Sequence, residues 1–412
     1  MSSHTISTSS PLYVVLLGVI SALPPLGIDM GLPGIPGVQN AFGISMIMAT
    51  STLTLFLLGF SLGPVVFGPL SDRYGRKPIL LIGVALFSIS AAGCALANSI
   101  EILLGLRILQ GIGAGAAAAL PAAIVRDSFH GDRALNRQSY VAVVNAITPL
   151  VAPLIGAAIL YFGNWRSIYA TLAIIGAALF IFAALGFAET APESRLDNQR
   201  SNVFKATIVS YKQLLANRQY LIATGLLAAT FGTMFSYISS SSAVFMGLLG
   251  ASATTYGLLF AFTAIGEIAG AACTGRFAAN IGAQRLLALA VLGGVGVSFL
   301  LLVAAFMGIR SVWGCALIVV LSNLFAGIIM PNATHLALKD LGAVAGSAAA
   351  LQRSSQMVFG AVASAIAGVI GGNPLEAMAI TMVCFALLSL CLLLTNIKDK
   401  SYSNNQPPIR LL

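Results

Sequence analysis

Residues 68–78 have the sequence GPLSDRYGRKP, which places four charges within residues 72–77. The stretches on either side, residues 46–70 and 79–100, contain no charged residue. Each stretch is long enough to cross the hydrocarbon core of a bilayer, which takes about 20 helical residues. The sequence therefore predicts a charged connection between two transmembrane helices. Because three of its four charges are basic, we expect this connection to face the cytoplasm.

The overall composition points to a bilayer as the solvent. The chain has 412 residues, of which 58% are hydrophobic and only 8% are charged, where a soluble domain carries about 25% charged residues. A soluble core of this size would lack the polar surface to cover it. The net charge of +9 sits in short loops and tails, so we expect it to orient the chain in the membrane rather than to bind nucleic acid.

Twelve apolar runs fall into two groups of six around one polar stretch. They lie near residues 12–32, 46–70, 79–98, 101–125, 138–161, 167–188, 219–247, 252–276, 286–307, 312–337, 344–371 and 375–396. We therefore predict an all-α integral membrane protein with 12 transmembrane helices in two six-helix halves. The predicted divisions are an N-terminal half (1–188), a cytoplasmic central linker (189–218), a C-terminal half (219–396) and a cytoplasmic tail (397–412).

The basic residues support termini on the cytoplasmic side. With that orientation, 17 Lys and Arg residues fall on the inside and two, Arg166 and Arg310, on the outside. This bias is the one expected for an even number of spans with both ends inside. A faint repeat accompanies it, because Gly68 and Gly75 have the same spacing as Gly275 and Gly282 in the second half.

Several motifs resemble those of a known transporter family. The 68–78 segment resembles the loop 2–3 signature of the major facilitator superfamily, and residues 107–113 and 152–156 resemble its signatures in spans four and five. Residues 29–36 resemble the end of span one in the Bcr/CflA group of drug exporters. Residues matching that group elsewhere are Arg126, Asp127, Pro331, Asn332 and Ala333, and residues departing from it are Gly31, Glu267, Gln352 and Arg353.

The resemblance implies a drug:proton antiporter in the bacterial inner membrane. Its expected substrates are small amphipathic drugs, its energy source is the proton gradient, and no bound cofactor is expected; we expect it to act as a monomer. An exporter of an endogenous metabolite, such as a nucleoside, peptide or siderophore, is the alternative. A receptor is disfavoured, because the longest polar stretch, of about 30 residues, is too short for a signalling domain. An enzyme is disfavoured, because the G-x-S-x-G match at 59–63 lies inside an apolar run, whereas a catalytic serine in this motif needs a strand-to-helix turn.

Four ionisable residues fall inside predicted spans: Asp29, Arg107, Glu267 and Arg353. A charge at a helix centre costs about 2.5–3.5 kcal/mol on insertion scales, so such residues usually face a cavity or a partner. Distances along the helices place Asp29 and Arg107 at similar depth, and we predict that they couple proton movement. Glu267 and Arg353 also match in depth and are predicted to compensate each other. The alternatives for these four residues are structural ion pairs and charges that snorkel to the membrane interface.

Two further groups of residues are predicted from their positions. The expected substrate cavity contains Met30, Gln110, Asn145, Tyr237, Glu267, Asn332, Arg353 and Gln356, although each polar one alone is also explained by a helix–helix hydrogen bond. The expected cytoplasmic gate contains Gly68, Asp72, Arg73, Gly75, Arg76, Arg126 and Asp127. We expect this gate to latch against the start of span eleven; its alternative is a loop that only sets orientation. No metal site is predicted.

Overall fold

The computed structural model describes residues 10–129, 131–191, 203–339 and 341–404, and within these residues the chain is all-α. The helices are α1 (Pro11–Ser21), α2 (Leu23–Asp29), α3 (Ile35–Phe42), α4 (Met46–Tyr74), α5 (Arg76–Leu96), α6 (Ile100–Ser128), α7 (Gly131–Phe162), α8 (Trp165–Gly186), α9 (Val203–Ala216), α10 (Arg218–Ser242), α11 (Ala253–Ile281), α12 (Ala283–Phe306), α13 (Val312–Leu338), α14 (Ala345–Ile370) and α15 (Pro374–Asn404). Residues 192–202 of the predicted linker and 405–412 of the predicted tail lie outside the described residues.

These helices provide twelve membrane spans. Eleven are long and apolar enough to cross a bilayer singly, and α1 joins the helical stretch Leu23–Phe42 across a 43° bend to form the twelfth. Spans two to six are α4–α8, and spans seven to twelve are α10–α15. The predicted six-plus-six layout is confirmed, with the helix α9 inside the polar stretch between the halves.

Span one bends where two consecutive prolines enter it. The bend lies at Ala22, and Pro24 and Pro25 follow at once. A proline has no backbone N–H and so removes one hydrogen bond of the helical ladder. Here the carbonyl groups of Ile20 and Ser21 lose the donors that lie four residues ahead.

The charged connection is much shorter than the sequence indicated. Helix α4 continues to Tyr74 and α5 begins at Arg76, so Gly75 is the single residue between them. The prediction of a loop was therefore wrong in extent, because polar residues at the ends of membrane helices remain helical. Gly75 has φ +98°, a conformation that a residue without Cβ adopts at little cost. Gly282, with φ +87°, separates α11 from α12 in the same way.

Glycines let two helices of each half approach closely. Gly59 of α4 packs against the carbonyl of Ile108 in α6, and Gly270 of α11 packs against the carbonyl of Leu324 in α13. A Cβ at either glycine would collide with backbone. Small residues at helix contacts serve this purpose in membrane proteins. The two halves are thus built on the same pattern, with span two on span four and span eight on span ten.

The halves meet where α4 packs on α14 and α7 packs on α11. We call the end of the bundle that carries residues 72–77 and 126–127 the basic end, and the opposite end the far end. Thr54 and Ser364 share a hydrogen bond of 2.7 Å across the halves, eight residues from the far end of α4. Close contacts between the halves are therefore present towards the far end.

Candidate functional site

A cavity of about 300 Å³ lies between the two halves. This is the lower end of the size range of small-molecule sites. Residues of α1, α2, α4, α6 and α7 line one side, and residues of α10, α11, α13 and α14 line the other. Among the residues predicted from the sequence, five lie in its wall: Asp29, Asn145, Tyr237, Glu267 and Arg353.

Asp29 is the last residue of α2 and is only 4% exposed. Within the described part of the chain it forms neither a hydrogen bond nor an ion pair. Its carboxyl group is close enough to Glu267 and Tyr237 of the other half to interact with them electrostatically. A protonatable group therefore lies in the cavity wall where the two halves face each other.

Glu267 and Arg353 supply the remaining charges of the cavity wall. Glu267 lies near the middle of α11, where its carbonyl contacts Gly327 of α13. Arg353 lies eight residues from the start of α14 and is nevertheless exposed. No ion pair within 4.0 Å joins these two side chains or engages either of them among the described residues. The structure thus places them in one cavity without the predicted direct pairing, and the prediction that they match in depth was wrong, because Arg353 lies nearer the end of its helix than Glu267 does.

Arg107 is buried in the first half and is absent from the cavity wall. Its Nε donates to the Thr52 carbonyl at 3.1 Å, and its Nη1 donates to Gln110 Oε1 at 2.7 Å. The guanidinium also lies 4.3 Å from the ring centre of Phe56 and 5.6 Å from that of Tyr169. These contacts engage Arg107 within the first half, and no ion pair joins it to Asp29 among the described residues.

One aromatic ring nevertheless connects Arg107 to the helix that carries Asp29. Gly27, two residues before Asp29, lies against the rings of Phe56 and Phe87, and an added Cβ would come within 3.2 Å of both. The guanidinium of Arg107 lies 4.3 Å from the centre of the same Phe56 ring. Arg107 therefore supports the position of α2 through Phe56.

Four more predicted cavity residues lie outside the cavity wall. Met30 is fully buried and Gln110 is held by Arg107. Asn332 donates to the Ile328 carbonyl at 2.7 Å and to Thr274 Oγ1 at 3.3 Å, which is the helix–helix hydrogen bond that was its alternative interpretation. Gln356 is 7% exposed, and its Oε1 accepts no hydrogen bond within the described residues. Only one face of each helix meets the cavity, and depth along the chain does not determine which face.

The sequence did not single out the aromatic part of the wall. It consists of Phe60, Phe231, Phe235 and Phe260 together with Tyr237. The rings of Tyr237 and Phe260 stack with their centroids 5.7 Å apart and an interplanar angle of 24°. The ring centroids of Phe231 and Phe235 lie 4.6 Å apart. Flat ring surfaces of this kind bind flat apolar ligands and cations.

The predicted gate residues form an ion-pair cluster around Arg76. Arg76 is 3% exposed; its Nη2 pairs with Asp72 at 2.7 Å, and its Nε pairs with Asp127 at 2.8 Å. Its Nη1 donates to Ser71. Glu189, which was not predicted, accepts the backbone N–H of Arg76 at 2.8 Å. This is the anion position that a helix N-terminus favours.

The other gate residues do not join this cluster as partners of Arg76. Arg126 is largely exposed, and its Nη1 comes within 3.9 Å of where a Cβ of Gly346, near the start of α14, would lie. Arg73 lies over the ring of Tyr74 at 5.1 Å. A Cβ at Gly68 would meet no atom within 4 Å. The Arg76 cluster is therefore internal to the first half, and Arg126 is a predicted gate residue that reaches the start of span eleven.

A profile of the Major Facilitator Superfamily matches residues 17–365. The chain belongs to this superfamily. It is 28% identical to the bicyclomycin resistance protein homolog of Haemophilus influenzae, with 93% of this chain and 95% of that one covered. It is 30% identical to the chloramphenicol resistance protein of Pseudomonas aeruginosa, with 95% and 92% covered. The resemblance to the Bcr/CflA group is thereby confirmed.

The architecture agrees with this membership of the Major Facilitator Superfamily. A solved POT family transporter in complex with a thioalcohol-conjugated peptide matches with a TM-score of 0.74 at 14% identity, covering 96% of this chain and 97% of that one. At this identity the likeness shows the fold. The protein is a multi-pass membrane transporter for small molecules, with its central cavity between two six-helix halves.

Proposed function

We propose that the protein exports small amphipathic drugs across the bacterial inner membrane in exchange for protons. The observation that carries this proposal is Asp29, a carboxyl group without a partner among the described residues, in the wall of an aromatic-lined cavity between the halves. The resistance proteins named above support drugs as the substrate class. The cavity is lined by a single chain, which supports a monomer as the working unit.

Asp29 is the group for which proton and substrate compete. An ionised carboxylate attracts a cationic or hydrogen-bonding substrate, whereas the protonated form does not hold a cation. Proton binding from the outside therefore favours substrate release, and proton loss to the cytoplasm prepares the cavity for the next molecule. The gradient alone supplies the energy in this scheme, and no cofactor takes part.

Arg107 acts in the proposal as a positioning residue. It holds the carbonyl of Thr52 and the ring of Phe56, and that ring packs against Gly27 beside Asp29. A movement of α2 during the cycle therefore changes the contacts of Arg107, although Arg107 and Asp29 do not touch. This is how Arg107 keeps a part in coupling while lying outside the cavity wall.

The open space at Gly68 allows α14 to approach α4 in an alternating-access cycle. The halves touch towards the far end, as Thr54 and Ser364 show, while Gly68 on α4 has room for a side chain. In the proposed cycle the basic end closes as the far end opens, and α14 then approaches α4 near Gly68. The Arg76 cluster holds α4, α5 and α6 together during this movement, and Arg126 is placed to meet α14.

The test is the replacement Asp29→Asn, with Asp29→Glu as the matched control that keeps a titratable carboxyl group. In proteoliposomes with an imposed pH gradient, we expect Asp29→Asn to abolish gradient-driven drug movement and drug-induced proton flux. Asp29→Glu should retain part of both. The Asn variant should still catalyse counterflow, because the cavity and the rocking halves remain. Undiminished gradient-driven export by Asp29→Asn would remove Asp29 as the coupling group.

A further inference from the structure

The cavity wall carries charged groups of both signs, and they come from both halves of the protein. Asp29 comes from the first half, and Glu267 and Arg353 come from the second. With both carboxyl groups ionised, these three side chains sum to one net negative charge. The cavity therefore offers two anionic sites and one cationic site to whatever molecule enters it.

Arg353 has the features of a ligand-binding arginine. It lies within the span α14 and in the cavity wall, it is exposed, and it has neither an ion pair nor a hydrogen bond within the described residues. Arg76 and Arg107 are each no more than 3% exposed and are engaged by carboxylates, carbonyls or rings. Both of these arginines are enclosed and engaged, and Arg353 is neither.

The three charges are also ordered along the cavity. Arg353 lies eight residues from the basic end of α14, and Glu267 lies 14 residues from the basic end of α11. At 1.5 Å per residue the guanidinium is attached about 9 Å nearer the basic end than the carboxylate. Phe260 lies seven residues further from that end than Glu267 on the same helix and stacks on Tyr237. A bound molecule meets a cation near the basic end, and carboxylates and rings deeper in the cavity.

We propose that Arg353 is a specificity-determining residue that fits this cavity to zwitterionic substrates. The substrate class is a flat apolar body with a carboxylate that pairs with Arg353 and a cationic group that lies by Glu267 and Asp29. A guanidinium binds carboxylate through two parallel hydrogen bonds, which gives both strength and orientation. The inference rests on the proposed export function, because it names the substrates of the same cavity.

A pair of fluorescent probes that differ in one group provides the test. Rhodamine free acid is a zwitterion, and its methyl ester is a monocation with the same ring system. Binding of each is measured by fluorescence to the full chain in lipid nanodiscs, for wild type, Arg353→Gln, Arg353→Lys and Arg310→Gln. Arg310 is exposed between α12 and α13 and outside the cavity wall, so its replacement is the control for lost charge alone.

We expect Arg353→Gln to weaken binding of the free acid by about tenfold or more, because a charge-assisted pair is lost. Binding of the methyl ester should become a few times tighter, because a like charge is removed from its site. Arg353→Lys should retain only part of the binding of the free acid, because an ammonium keeps the charge but not the two parallel hydrogen bonds. Arg310→Gln should match wild type. A general distortion of the fold would weaken the binding of both probes, because they have the same shape. It would not shift their affinities in opposite directions.

Equal weakening of both probes by Arg353→Gln would overturn the inference. So would a wild-type protein that binds the ester and not the acid, or one that binds neither. Transport assays on the same samples separate this inference from the export proposal. The crossed pattern of binding without gradient-driven movement would keep the zwitterion site and refute export. If export depends on Asp29 but Arg353→Gln affects both probes alike, the export proposal stands and the zwitterion site is refuted.

Discussion

Arg107 and Arg353 both lie in membrane spans, one in each half, and the protein surrounds them in opposite ways. Arg107 is buried near two aromatic rings and donates hydrogen bonds to Thr52 and Gln110. Arg353 is exposed to a cavity and has no partner within the described chain. A position inside a membrane span therefore does not define the role of a charge. The groups that surround the charge define it.

The largest expected effect separates these two arginines by stability. Arg107→Ala leaves a void and removes the donor to Gln110, and we expect it to lower the free energy of unfolding by about 2–4 kcal/mol. Relief of the buried charge offsets only part of that loss. Arg353→Ala should change stability by no more than about 0.5 kcal/mol, because its side chain has no partner to lose. Thermal unfolding of both variants in one detergent measures the difference.

The contrast between the arginines fails if Arg353→Ala unfolds as readily as Arg107→Ala. Arg107→Met sharpens it, because methionine fills much of the volume but donates no hydrogen bond. A Met variant as stable as wild type would show that burying the guanidinium costs about as much as its contacts return. In that case Arg107 is retained for transport.

A third arginine gives an intermediate effect, since Arg76 is buried and paired. Asp127 is 5% exposed and Asp72 is 40% exposed, and both contact Arg76. We expect Asp127→Asn to cost about 1–3 kcal/mol, because a buried pair loses its charge complement. Asp72→Asn should cost about 0–1 kcal/mol, because water screens an exposed pair. The same unfolding assay ranks them, and a larger loss for Asp72→Asn would contradict the assigned burial.

The smallest effect expected from replacing a buried side chain concerns the ring of Phe56, near Arg107. Phe56→Leu removes the cation–π contact while keeping an apolar side chain against Gly27. We expect it to cost about 0.5–2 kcal/mol and to reduce proton-coupled transport more than substrate binding, because α2 loses its support. Paired measurements of binding and of drug-induced proton flux test this. Equal losses in both would indicate that Phe56 only fills space.

Much of the fold could be read from the sequence because a bilayer imposes its thickness on each span. Uncharged runs of about 20 residues predict helices wherever they occur, and twelve of them are found in the expected arrangement. The positions of the helix ends were predicted less accurately. Asp72 and Arg126 are helical, since polar residues that face water continue a helix without a hydrophobic signal.

The site could be predicted only where rarity marked the residue. Asp29, Glu267 and Arg353 stood out as charges in apolar runs, and all three line the cavity. Arg107 stood out equally but faces the interior of its own half, because sequence distance gives depth and not rotation about the helix axis. The aromatic wall gave no signal, because the chain contains 22 phenylalanines and nothing distinguishes those near Tyr237.

The two prolines that bend span one have a consequence for how resistance to inhibitors of this protein would evolve. Ser21, Pro24 and Pro25 lie in the cavity wall, and Pro25 leaves the carbonyl of Ser21 without its usual helical donor. A backbone acceptor is the same whatever side chain is encoded at that position. An inhibitor that donates to this oxygen would escape most point mutations, apart from replacement of Pro25 itself, which would restore the helical donor.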